Sequence, residues 1–146
     1  MASWYDDKLM NWVGIMDADQ FYAECDRSNA KFFRNLITAW TKKAGCFLKW
    51  ETGGVCLYGY IDGKKAEVCS LAPQCQRSDT QDHVLLACAT FVEYISKDRA
   101  EKRQQEIRAA AGQQSLIGST RIEIVQPGLL PRAKQAALLK ALVDVL

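Results

Sequence analysis

The hydrophobic pattern changes period several times along the chain, and each change marks an element. Asn11-Trp12-Val13-Gly14-Ile15-Met16 is a short apolar run that ends at Asp17-Ala18-Asp19, the pattern of a buried strand. Asp17 reads as a turn former and Asp19 as the cap of a helix running through Phe21, Tyr22 and Cys25. From Ser28 onward, Phe32, Phe33, Leu36, Ile37 and Trp40 recur every three or four residues, which places them on one helical face. Lys42 and Lys43 fall in the last turn of that helix and Gly45 just beyond it, where cations and a left-handed glycine favour termination. The period then falls to two. Residues 46–51, 55–61 and 64–71 are strand-like, separated by Thr52-Gly53-Gly54 and by Asp62-Gly63, a strong hairpin signal. They predict an antiparallel meander that Pro73 ends, with a polar loop to Gln81.

A second helix is expected from Ser78 or Asp79, with Leu85, Cys88, Val92 and Ile95 as its apolar stripe. Residues 97–108 are mostly charged around a lone Ile107, so this stretch reads as a helical extension into solvent or toward a partner. Arg121 to Val125 alternates like a half-buried strand, and a last helix begins near Arg132. Between Ala136 and Leu146 only Lys140 and Asp144 are polar, and their i,i+4 spacing puts both on one strip. Such a helix is buried on two sides, or is buried once and shared with another chain. The second option predicts a protein partner or homodimer contact at Leu138, Leu139, Leu142, Val145 and Leu146.

The expected fold class is α+β: a three-stranded antiparallel meander packed by helices, with an extra N-terminal strand and helix and a C-terminal strand plus apolar helix. A chain of 146 residues with 49% hydrophobic side chains buries enough surface for one core, so residues 1–146 are expected to form a single domain. Within it, residues 1–30 form the N-terminal strand and helix, 31–96 the central helix–meander–helix core, 97–113 the charged extension and 119–146 the closing strand and helix. Every apolar run is interrupted by charge well short of ~18 residues, so no membrane span is expected. The first residues carry no basic start followed by an apolar stretch, which predicts an intracellular, cytoplasmic protein with free thiols. The six cysteines form no Cys-x-x-Cys pair and the single His83 stands alone, so no metal site or cofactor is assigned and no Cys–His nucleophile emerges.

The net charge of +2 conceals alternating blocks: −4 over residues 1–30, +5 over 31–65, −3 over 66–95 and +4 over 96–146. The most basic block interleaves cations with aromatics. Lys42, Lys43, Lys49, Lys64 and Lys65, with Trp50, are therefore candidate RNA or DNA contacts, because lysines neutralise phosphates and aromatics stack bases. The expected role is non-catalytic interaction, through a protein partner or self-association, with nucleic acid binding through residues 31–65 as the alternative.

From Phe33 to Ile95 the order of helix, three antiparallel strands and helix resembles a double-stranded-RNA-binding domain. Leu36, Trp40, Lys43 and Gly45, the Asp62-Gly63-Lys64 turn, and the small Ala87 and Ala89 carry the likeness. In that family the second helix opens with a phosphate-gripping lysine cluster; here residues 76–82 read Gln-Arg-Ser-Asp-Thr-Gln-Asp. The resemblance without that cluster implies protein contact or dimerisation. A second likeness is confined to about ten residues. Asp17-x-Asp19 followed by Phe21-Tyr22-Ala23 resembles the first catalytic motif of lesion-bypass DNA polymerases, which implies Asp17 and Asp19 as candidate Mg²⁺ ligands for phosphoryl transfer.

Overall fold

The computed structural model describes residues 15–73, 83–86, 97–112, 115–117 and 122–145. Two helices lead, α1 (Ala18–Glu24) and α2 (Arg27–Lys42), followed by β1 (Phe47–Glu51), β2 (Gly54–Ile61), β3 (Lys64–Ala72) and β4 (His83–Leu86). Then come α3 (Lys97–Ala111), β5 (Ser115–Ile117), β6 (Ile122–Val125), a 3₁₀ turn (Pro127–Leu129) and α4 (Arg132–Val143). The strands form one antiparallel sheet in the order β1-β2-β3-β4-β6-β5.

The α+β class and the meander packed by helices are as the hydrophobic pattern predicts. Helix α2, the strands β1 to β3 and helix α3 give the helix–meander–helix order that resembles the double-stranded-RNA-binding arrangement. The sheet does not stop at three strands. His83–Leu86 is a strand where a helix with Leu85 in its stripe is expected, and it joins the meander to β6. Four residues are too few to separate period two from period 3.6, and pairing on both sides decides in favour of the strand. The loop to Gln81 and the Cys88–Ile95 stripe lie outside the described residues, as does the Asn11–Met16 run except for Ile15, which is exposed, and Met16, which is buried, neither of them in a strand.

Helix α1 is capped by Asp17, whose carboxylate accepts from the Gln20 amide at 2.8 Å; Asp19 sits in the first turn. The cap is thus two residues earlier than expected. Both positions suit an aspartate, since one accepts a bond from a free N–H and the other faces the positive end of the helix. Helix α2 buries Phe32, Phe33, Leu36, Ile37 and Trp40, as its spacing predicts. The Trp40 indole donates to the Tyr58 carbonyl at 2.9 Å, tying the helix to the middle of β2. Asp62 and Gly63 both take positive φ, 52° and 80°, the conformation of a tight two-residue hairpin.

A bulge between Leu57 and Tyr58 offsets β2 against β3, so consecutive Val68 and Cys69 are both buried. One sheet face, carrying Leu48, Trp50, Val55, Leu57, Leu71, Ile122 and Ile124, meets the helices. The other carries Phe47, Lys49, Glu51, Tyr58, Tyr60, Lys65 and Glu67.

Helix α3 leaves most of its charged residues between 98 and 106 exposed and turns only its C-terminal end into the core. Ile107 is fully buried and Ala110 and Ala111 nearly so, packed with α4 in the same core. Helix α4 reaches that core with Leu138 and Leu142, and Val145 follows just past its end. No described helix is long and apolar enough to cross a membrane.

Candidate functional site

The residues singled out in the basic block do not lie on one face. Lys43, at the end of α2, turns toward α4: its ammonium donates to the Val143 carbonyl and lies 5.9 Å from the Trp40 ring centroid. A cation there satisfies a helix C-terminal carbonyl, so it is engaged within the fold. Trp50 lies on the helix side of the sheet, half-buried, with its ring edge-on to Phe21 at 5.7 Å. Lys42 is exposed on the last turn of α2. Lys49, Lys64 and Lys65 are exposed on β1 and β3.

Three aromatics that the basic-block pattern passes over lie on the outer sheet face. Phe47 and Tyr58 face each other across β1 and β2 and stack, with centroids 5.3 Å apart and planes 14° from parallel. Tyr60, one pleat further along β2, has its ring centroid 6.1 Å from that of Phe47 and is 53% exposed. Gly45 lies against the Tyr60 ring, where an added Cβ would stand 3.8 Å from it. The Lys65 ammonium is 5.7 Å from the Tyr58 centroid, and Lys49 extends the same face opposite Cys56.

This face also carries acid. The Tyr58 hydroxyl donates to Glu67 at 3.3 Å, and the Cys56 thiol to Glu51 at 3.9 Å. Burial first, then the Glu67 charge, raises the Tyr58 phenol above its ordinary range, so it stays a neutral donor at neutral pH. The arrangement is an aromatic platform with interspersed charges of both signs.

The paired-aspartate candidate is differently placed. Asp17 and Asp19 are exposed, and one Asp17 carboxylate oxygen is occupied as the α1 cap. Among the described residues no third His, Cys, Asp or Glu joins them to make a metal-binding group. The described cysteines, Cys25, Cys46, Cys56 and Cys69, are free thiols. Of the candidate interface residues, Leu138, Leu142 and Val145 are in the chain's own core and Leu139 is packed partly against it, while Leu146 lies outside the described residues.

The strand register could have revealed the aromatic platform. A two-residue turn at Asp62-Gly63 pairs Ile61 with Lys64 and Tyr60 with Lys65, and alternation then puts Tyr58, Tyr60 and Lys65 on one face. Comparison with protein-family models, with curated proteins and with solved structures finds no match to this chain.

Proposed function

We propose that the protein is a non-catalytic recognition module that binds single-stranded nucleic acid across the outer face of β1 to β3. Bases stack on Phe47, Tyr58 and Tyr60, and phosphates are met by Lys49 and Lys65. The observation that carries this is the stacked Phe47–Tyr58 pair with the exposed Tyr60 ring beside it. Rigid aromatic faces on a sheet accept bases at little ordering cost, and only unpaired bases offer their faces to them.

Glu51 and Glu67 on the same face keep its net charge low, so stacking supplies most of the affinity. Two phosphate contacts predict a shallow salt dependence, with a slope of about −1.4 in log K against log salt for a single strand. Fluorescence anisotropy with a labelled oligonucleotide measures both. Tyr60→Ala should weaken binding by about 1–3 kcal/mol while leaving the melting temperature unchanged, because its ring is outside the core. Undiminished binding by Tyr60→Ala, or a preference for duplex over single strand, overturns the assignment.

A second possibility, self-association beside α4, is favoured by the 66% exposure of Leu129 just before that helix. It predicts a concentration-dependent increase in sedimentation coefficient that Leu129→Glu abolishes. A monomer at all concentrations removes it.

A further inference from the structure

On the helical layer, away from the aromatic platform, a groove of about 420 Å³ lies between α2 and α4, a volume typical of small-molecule sites. One end of it is braced. Asn29, the one buried polar side chain among the described residues, accepts from the Gly128 amide at 2.7 Å and donates to the Gln126 side chain at 2.5 Å. The Gln135 amide donates to the carbonyls of Gly128 and Leu130 at 3.0 and 2.7 Å. Gly128 packs so closely on α2 that an added Cβ would come within 2.4 Å of the Ser28 carbonyl group. These bonds hold the two helices at a fixed separation, so the groove is present before any ligand arrives.

The chemistry of the walls is one-sided. Lys31 projects from α2 and Arg132 from the first turn of α4, and no carboxylate lines the groove. Among the described residues neither cation has a hydrogen bond or an ion pair. Ser28 and Asn35 add neutral donors, and Phe32 with Leu139 adds apolar surface. Two cations on facing walls favour a compact, doubly charged anion, and the planar guanidinium matches the oxygens of a phosphate. The apolar surface beside them suits a small organic body attached to that phosphate.

We infer that the groove between α2 and α4 binds a small organic phosphate monoester. Its phosphate sits between Lys31 and Arg132, and its apolar portion lies against Phe32 and Leu139. The inference is independent of nucleic acid binding on the sheet, since the two surfaces share no residue.

Titration of the full chain with phenyl phosphate, followed by amide chemical shifts in two-dimensional NMR, tests it. Saturable shifts are expected at Ser28, Lys31, Gly128 and Leu139, and inorganic phosphate should bind about tenfold more weakly for want of the ring. The double variant Lys31→Gln, Arg132→Gln should lose at least about tenfold in affinity while keeping the dispersed spectrum of the folded protein. Tyr60→Ala should leave the titration unchanged. Failure to saturate by about 10 mM phenyl phosphate, equal affinity for inorganic phosphate, or full affinity in the double variant overturns the assignment.

Discussion

Asn29 shows what one buried amide can do. Its side chain satisfies the Gly128 N–H and bonds Gln126, a non-glycine residue held at φ 50°. Asn29→Leu removes both bonds and leaves the half-buried Gly128 amide without this partner. It should lower stability by about 1–3 kcal/mol in urea denaturation. A cost under about 0.5 kcal/mol would mean that water takes over the amide's role. The sequence carries no hint of this contact, because its partners are almost a hundred residues away and Asn at the start of a helix ordinarily faces water. Asp17 is the opposite case. The motif around it made a cap predictable within two residues, and only backbone dihedrals separate Asp17 from Asp19 in that role.

At the scale of elements, hydrophobic period was legible wherever large side chains set it. The α2 stripe and the three meander strands follow from Phe, Trp, Leu, Val and Tyr positions, and the two-residue turn fixes the pairing of β2 with β3 as far as the bulge at Leu57 and Tyr58. The buried end of helix α3 is hard to read from the sequence because alanine completes it. Ile107, Ala110 and Ala111 follow i, i+3, i+4 spacing, yet two of the three are too small to stand out among charged neighbours. Its packing predicts a measurable cost. Ile107→Ala and Leu138→Ala should each destabilise by about 2–5 kcal/mol, since both side chains are fully buried in the shared core. Leu142→Asp should unfold the chain outright, because it puts a charge where the side chain is 1% exposed. Chemical denaturation distinguishes this from a dissociating interface: a folded Leu142→Asp monomer would show that α4 contributes little to the core.

For the molecule as a whole, two faces of one sheet have divided the work. The helix side holds the core, while the outer side retains charged groups among its aromatics. The basic block over residues 31–65 is not one spatial patch, since Lys43 and Lys49, six residues apart, end on opposite sides of the sheet. Global stability should also respond to alkali. Burial, followed by the charges of Glu67 and Glu51, pushes the Cys56 thiol from its ordinary 9.0 up to about 12. Burial pushes Cys69 in the same direction. Both stay neutral in the fold where an unfolded chain ionises. Their contribution is therefore complete below pH 9 and is lost progressively as pH rises toward about 12. Melting temperature under reducing conditions should fall between pH 8 and pH 11, and the fall should be shallower in Cys69→Val. A pH-independent melting temperature over that range would show that neither thiol is shielded from water.

The Lys43–Val143 bond joins the end of the first long helix to the end of the last, across a hundred positions of sequence. During synthesis, α2 and the meander emerge from the ribosome well before α4 arrives to meet them. For that interval the apolar flank of α2 that α4 later covers stays open to water.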